Sequence, residues 1–391
     1  MVAGGPIRRA VFWTHLTVGV IAGLVILMMS VTGVILTYER QIVAWIDKSQ
    51  PVSCSENCVK PEMGELYAAA VAATGNPSPT LTVYSDPARP VLARAGRGTQ
   101  YLLDPYDGSV IREGYSATDD FFGLIMRIHR WFALEGDARG VGKDITGASN
   151  LLFLGLLLSG IYLWLPQVWT KAVLRARMLL NLKPKNGKIR DFNWHHAFSF
   201  WAFIPLFFLI TTATVFNYDW ANQLVYGAFG ESPPSRGRSS EEAPPAPAQP
   251  QSTDALVTSA MSLAESYEAS DWHSVAITIP EDGATASFRF DRSIGGQPSK
   301  VLSFEVDRGS AEMASALLFS DRTPGQQARF IFRFLHTGEV LGFFGQTIAG
   351  LASLAACFLV WSGLALAWRR LVQPLFGKGK NIVDTPIEEG A

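Results

Sequence analysis

The chain has 391 residues, a formal net charge of −1, and hydrophobic side chains at 48% of its positions. A charge so close to zero argues against a nucleic-acid partner. The length predicts two or three domains, and the mildly positive mean hydropathy means that apolar and polar segments alternate along the chain.

Four segments are long and apolar enough to cross a bilayer, whose hydrocarbon core of about 30 Å needs about 20 helical residues. The first has no charged residue between Arg9 and Glu39 and no Ala-x-Ala cleavage site after it, so we interpret it as a retained helix, not a signal peptide. The predicted transmembrane helices lie within residues 1–38, 146–169, 194–218 and 340–368.

The orientation of these helices follows from the Lys and Arg residues that flank them. Arg8 and Arg9 precede helix 1, seven basic residues lie in the loop 170–193, and Arg369 and Arg370 begin the tail 369–391. These three segments are expected on the cytoplasmic side of a bacterial inner membrane, with both termini inside. The long connections 39–145 and 219–339 are then periplasmic.

The two outer connections repeat the same order of predicted elements. In the first, a helix over 62–74 precedes strands over 80–84 and 91–95; in the second, a helix over 253–267 precedes strands over 275–279, 284–290 and 301–308. A Pro-rich segment, 232–253, is expected to be a linker. The sequence predicts an α-helical membrane protein: a four-helix transmembrane bundle with two α+β periplasmic domains, formed by a parallel internal duplication with its pseudo-two-fold axis along the membrane normal.

Two cysteines, Cys54 and Cys58, fall in the first outer segment. An oxidising compartment makes a local disulfide plausible, and an inert pair is the other main interpretation. A metal pair is less favoured because further ligands are missing nearby. Cys357 lies in an apolar stretch.

Five of the six histidines lie near helix ends, and the repeat pairs four of them. His15 corresponds to His195 at the cytoplasmic side, each with a small residue four positions later, Gly19 and Ser199. His196 is an alternative to His195, but its side chain projects about 100° away around the helix. His273 has no counterpart and is interpreted as a surface residue.

The second histidine pair, His129 and His336, precedes helices 2 and 4 at the outer side. Imidazole is a common axial ligand of haem iron, and two facing imidazoles would close both axial positions. Arg127, Arg130 and Arg333 are candidates to pair with haem propionates. A single interfacial histidine is usually an ordinary residue, and zinc would require four ligands close together. The matched pairing across the repeat is what favours haem, with one or two per chain.

Several short motifs together resemble the PepSY-associated transmembrane proteins, a group that includes inner-membrane reductases of ferric siderophores. The resemblance covers nearly the whole chain, and its motifs are His15-x3-Gly19, Asp104-Pro-x-x-Gly108, His129-Arg-Trp131, Ile145-Thr-Gly147, Ser159 to Pro166, Trp194-His195 and Leu335 to Gly342. It implies PepSY-like outer domains, b-type haem, and electron transfer from the inner side to iron in the periplasm. The second copy of the Asp-Pro-x-x-Gly turn, at 306–309, is degenerate.

The leading hypothesis is therefore a haem-dependent reductase of ferric siderophores or other ferric chelates, with His129 and His336 holding the outer haem. The alternative is a non-catalytic, membrane-anchored module that binds a partner protein or regulates a protease. A siderophore transporter is disfavoured, since no charged residue lies at mid-membrane. Gly140-Val-Gly142 follows no strand, so it is not a dinucleotide site. The electron donor is expected to be a membrane quinol or a cytoplasmic flavoprotein.

Overall fold

A computed structural model describes residues 5–53, 59–96, 99–234 and 245–376 of the chain. Four of its helices are long and apolar enough to cross a membrane. These spans are α1 (Pro6–Leu36), α5 (Ala138–Trp164), α7 (Gly187–Asn217) and α11 (Gly342–Leu371). Cys54 and Cys58, for which a disulfide or an inert pair was predicted, lie outside the described residues.

The four spans form a closed ring in which each packs on two others: α1 on α5 and α11, and α7 on α5 and α11. Small residues allow neighbouring spans to pack closely. A Cβ on Gly147 of α5 would collide with Asn217 of α7, and a Cβ on Gly350 of α11 would come within 2.8 Å of Thr37 after α1. One buried cluster joins three of the spans in the middle of the bundle, with Leu157, Leu206 and Ala356 among its members. The bundle thus brings α1 and α7 opposite each other.

Helix boundaries differ from the predicted ones mainly where polar residues belong to the helix. Helix 2 was predicted from 146, but α5 begins at Ala138, because the charged residues before 146 are helical too. It ends at Trp164, not at 169, because Leu165 precedes a proline and is extended, with φ −56° and ψ 124°. Helix α7 begins seven residues before the predicted 194, where the Asn186 side chain accepts a hydrogen bond from the Ile189 N–H and caps it.

Shorter helices lie before and after the spans. Two of them, α4 (Ala117–Trp131) and α10 (Pro324–His336), end just before α5 and α11 and carry the outer histidines. The shorter helices are α2 (Glu39–Lys48), α3 (Met63–Thr74), α4 (Ala117–Trp131), α6 (Lys171–Met178), α8 (Asp219–Gly227), α9 (Thr253–Ser266), α10 (Pro324–His336) and α12 (Gln373–Phe376).

The two outer segments share a single antiparallel sheet of eight strands, in the order β4-β3-β2-β1-β5-β6-β7-β8. The strands are β1 (Thr80–Tyr84), β2 (Val91–Ala95), β3 (Thr99–Leu103), β4 (Val110–Glu113), β5 (Ser274–Thr278), β6 (Thr285–Asp291), β7 (Val301–Asp307) and β8 (Met313–Leu318). Strands β1 and β5 pair at the centre, from Thr80 opposite Thr278 to Tyr84 opposite Ser274. Where the sequence predicted two domains, the structure thus has one continuous layer with two four-stranded halves.

One face of this sheet is covered by α3 and α9, which also contact each other. The alternation of the strands points Leu81, Ile277, Phe288 and Phe304 into a shared core beneath the two helices, and each is almost fully buried. The Tyr67 hydroxyl joins the halves: it donates to the carbonyl of Pro79 or Ile279 and accepts from the Ile279 N–H. The element order helix, four strands, helix, span is the same in both halves.

Candidate functional site

The inner histidines face each other across the bundle. His15 on α1 and His195 on α7 have ring centroids 6.4 Å apart, and the ring planes are nearly perpendicular, at 87°. The distance is too long for direct contact between the rings, so the two imidazoles leave a gap between them. In the structure, the two predicted partners His15 and His195 lie close together without touching.

The outer histidines repeat this geometry on other elements. His129 is near the end of α4 and His336 is the last residue of α10, and their ring centroids are also 6.4 Å apart, with an angle of 55° between the planes. Burial lowers the pKa of His129 to about 4 and lowers the pKa of His336 as well. Both rings are therefore neutral at pH 7, which is the form that ligates a metal.

Serine and threonine hydroxyls from the spans hold two of these rings. Nδ1 of His15 lies 2.8 Å from the Ser159 hydroxyl, and Nδ1 of His129 lies 2.9 Å from the Thr32 hydroxyl. Each hydroxyl donates its own proton to a carbonyl four residues earlier, of Gly155 and Met28. The hydroxyl oxygen must therefore accept from Nδ1–H, which places the lone pair of the imidazole on Nε2.

The other two rings are held in the same way. Nδ1 of His195 donates to the Leu359 carbonyl at 3.1 Å and lies 3.0 Å from the Ser362 hydroxyl. Nδ1 of His336 donates to the Leu209 carbonyl at 2.9 Å, with the Thr212 hydroxyl at 3.3 Å. Each of the four spans thus supplies one hydroxyl for one histidine, and every Nε2 is free of these bonds.

Small residues follow these hydroxyl positions: Gly33, Gly160, Ala213 and Gly363. A Cβ on Gly160 would lie 3.4 Å from Cε1 of His15, and one on Gly363 would lie 3.3 Å from Cε1 of His195. The dipeptide of a hydroxyl residue and a small residue is the signal that our sequence analysis missed. It occurs in every span, and α5 has a second copy at Thr146-Gly147. Gly19, which the sequence paired with His15, faces Leu156 of α5.

His196, the alternative to His195, is directed elsewhere. Its Nδ1 donates to the Phe192 carbonyl of the same helix at 2.8 Å, and its ring packs on the Phe192 ring with 4.2 Å between centroids. The structure therefore favours His195 as the partner of His15. His273 lies in the sheet region, where its Nε2 is 3.2 Å from Arg89.

A cavity of about 1440 Å³ contains the outer pair. Its inner part is lined by apolar residues of the spans, including Met29, Phe153 and Leu206, and its outer part by polar and charged ones. Of the three arginines predicted to pair with propionates, Arg130 and Arg333 line this cavity, whereas Arg127 is not part of its lining. The Gly140-Val-Gly142 motif has a packing role, because a Cβ on Gly142 would collide with the carbonyl of Trp131.

Comparison with known proteins agrees with this architecture. The sequence model of the PepSY-associated TM region matches residues 12–370, a stretch that contains all four spans almost completely and the whole sheet. Among curated proteins, no sequence matches this chain. Since the match extends over most of the chain, the protein belongs to the PepSY-associated transmembrane family.

Proposed function

We propose that this protein is a haem-b electron-transfer protein of the bacterial inner membrane, which reduces a ferric siderophore or another ferric chelate in the periplasm. The observation that supports this most is the equal spacing of the two histidine pairs, 6.4 Å between ring centroids in both. With a metal–nitrogen bond of about 2.0 Å and about 1.1 Å from nitrogen to ring centre, two imidazoles on one iron would have centroids about 6.2 Å apart.

The surroundings of each pair also fit this group. A ligating histidine generally donates its second ring N–H to a fixed acceptor, and the four hydroxyls and two carbonyls supply such acceptors. His15 and His195 would hold the inner haem, and His129 and His336 the outer one. Arg130 and Arg333, which line the cavity mouth, would pair with the propionates, whereas Arg127 lies outside the lining.

A haem held between two imidazoles would supply reversible one-electron chemistry at each histidine pair. The chain itself fixes the two pairs of imidazoles at two different depths in the membrane. Thr32 comes seventeen residues after His15, and Thr212 comes seventeen residues after His195. At a rise of 1.5 Å per residue, this separates the inner histidines from the hydroxyls that hold the outer ones by about 25 Å, most of the hydrocarbon thickness.

The same seventeen-residue spacing in α1 and α7 supports a parallel duplication, in which α1 to α5 and α7 to α11 are equivalent halves. We further propose that both termini and the basic loop are cytoplasmic, so that an inner donor, quinol or flavoprotein, lies near His15 and His195. The eight-stranded sheet then covers the periplasmic side as two fused PepSY-like domains. The Lys and Arg residues that flank the spans support this orientation.

Spectroscopy of the purified protein tests the proposal. A reduced-minus-oxidised spectrum should show b-type Soret and α bands, and a pyridine haemochrome assay should give two haems per chain. Proteoliposomes with a reductant inside should reduce an external ferric chelate. A protein that is folded in the membrane but takes up no haem would contradict the proposal and favour the membrane-anchored, non-catalytic module.

A further inference from the structure

The outer mouth of the cavity carries more positive charge than two haem propionates require. Apart from Arg40, which pairs with Glu339, five basic residues line the cavity: Arg130, Arg139, Lys143, Arg329 and Arg333. Within the described residues, none of them forms an ion pair with a carboxylate. Three carboxylates also line the cavity, those of Glu39, Asp219 and Glu339, and Glu339 pairs with Arg40 at 2.6 Å.

Aromatic rings and an amide hold these cations in place. Arg139 and Arg130 both lie over the Trp131 ring, with 4.0 and 4.6 Å from guanidinium carbon to ring centre. Arg329 donates from Nε to the Asn222 side chain at 2.7 Å and lies over Phe216 at 4.7 Å. Such contacts orient a guanidinium without neutralising it, so its charge stays available to a ligand.

The cations also lie close to one another, since Arg130 and Arg139 lie over the same Trp131 ring. An anion that binds among neighbouring cations relieves their mutual repulsion. The side chains come from α4 and α5 on one side and from α10 on the other, so an anion between them would be held from two directions.

We infer that this mouth is a binding site for a multiply anionic, carboxylate-bearing ferric chelate, and that Arg139, Lys143 and Arg329 are the residues that bind it. The inference rests on the proposed function, in which Arg130 and Arg333 are assigned to propionates. Beyond the proposed function, it predicts which ferric chelates the protein selects: anionic carboxylate chelates bind at this mouth, whereas cationic trihydroxamate chelates do not.

Gallium(III) citrate provides a probe whose binding is measured without electron transfer. Isothermal titration calorimetry uses the holoprotein in zwitterionic phosphatidylcholine nanodiscs, so that anionic lipid headgroups do not compete. We expect binding that weakens as ionic strength rises from 50 to about 500 mM. A cationic gallium trihydroxamate should bind at least about tenfold more weakly.

Variants locate the site. Arg139→Gln and Arg329→Gln should each weaken gallium citrate binding about tenfold, and Arg139→Lys should retain most of it, because the charge remains. Arg94→Gln removes an exposed charge from β2 and serves as the matched control. Unchanged binding in the double variant Arg139→Gln/Arg329→Gln, or equal affinity for the cationic chelate, would overturn the inference.

The two proposals fail in different ways. If the holoprotein reduces ferric trihydroxamates but neither wild type nor variants bind gallium citrate, the inference is wrong and the reductase proposal stands. If the protein contains no haem but binds gallium citrate through Arg139 and Arg329, the anion site stands and the reductase proposal is wrong.

Discussion

The hydroxyl of Thr32 on α1 accepts a hydrogen bond from Nδ1 of His129 on α4, with 2.9 Å between the two atoms. The bond joins a transmembrane helix to a short outer helix, and it fixes which nitrogen of His129 faces His336. Three further hydroxyls, one on each remaining span, make the equivalent contact. These contacts and the two histidine pairs lead to the first three of five predictions.

Replacing His129 or His336 by Ala should lower the haem content from two to one per chain, because a pair without one imidazole loses an axial ligand. Reduction of external ferric chelate should fall to background, while the protein remains in the membrane. Pyridine haemochrome and proteoliposome assays measure the two effects. His273→Ala is the control and should change neither. Full haem content and activity in both outer variants would show that these residues are ordinary interface histidines.

At the inner side, His195→Ala should lose one haem and His196→Ala should keep both. His195 lies 6.4 Å from His15, whereas His196 packs on Phe192 of its own helix. Haem quantification of the two variants side by side checks this. The reverse result would assign the inner ligand to His196.

Thr32→Val should raise the midpoint potential of one haem by about 20–60 mV, the equivalent of one net hydrogen bond of about 0.5–1.5 kcal/mol in a one-electron couple. Without the acceptor, the imidazole of His129 is a weaker electron donor, so the ferric state is less favoured. A redox titration measures the shift. Thr32→Ser should restore the original potential.

The matched control for that titration is Thr211→Val. Thr211 also donates to the carbonyl four residues earlier, that of Phe207, but within the described residues its hydroxyl contacts no histidine. A shift of similar size in Thr211→Val would mean that Thr32 acts through the packing of the helix and not through His129.

Tyr67→Phe should loosen the junction between β1 and β5. The lost hydroxyl leaves the Ile279 N–H unpaired in a buried position, which costs about 1–3 kcal/mol. Hydrogen–deuterium exchange followed by mass spectrometry should show faster exchange in β1 and β5 than in wild type. Tyr101→Phe loses only an exposed bond to Glu113 and should exchange normally. If β1 and β5 exchanged equally slowly in Tyr67→Phe and Tyr101→Phe, the junction would not depend on the Tyr67 hydroxyl.

Both termini should be cytoplasmic. Alkaline phosphatase fused after Ala391 should be inactive, and the same reporter inserted in the segment 232–253 should be active, since this enzyme needs the oxidising periplasm. The basic flanks of the spans motivate the expectation. An active fusion after Ala391 would reverse the orientation and place His129 and His336 at the inner side.

The sequence predicted those elements whose pattern is local. Strands β1 and β2 were predicted with their observed bounds, because alternating side chains and flanking turn residues define them. The pairing of β1 with β5 was not predictable in this way, since any two edge strands with free N–H and C=O groups can pair. Strands β3, β4 and β8 were missed. The side chains of β4 and β8 are mostly exposed and do not alternate clearly.

For the site, the sequence predicted which histidines pair but not what orients them. The Ser159 hydroxyl lies inside an apolar span and donates to the carbonyl of Gly155, as an ordinary helical serine does, so the sequence alone does not indicate a further role. Only the packing of α5 against α1 shows that its oxygen also receives the His15 proton. The cations of the cavity mouth are likewise scattered over α4, α5 and α10.

The histidine pairs also constrain how the protein is made. Each pair takes one imidazole from each half of the chain: His15 and His129 precede the basic loop, and His195 and His336 follow it. During synthesis, the first half enters the membrane with two histidines that have no opposite partner. The inner pair is complete only after α7 has emerged from the ribosome, and the outer pair only after α10 has emerged. Insertion of the outer cofactor therefore has to come after translation of nearly the whole chain.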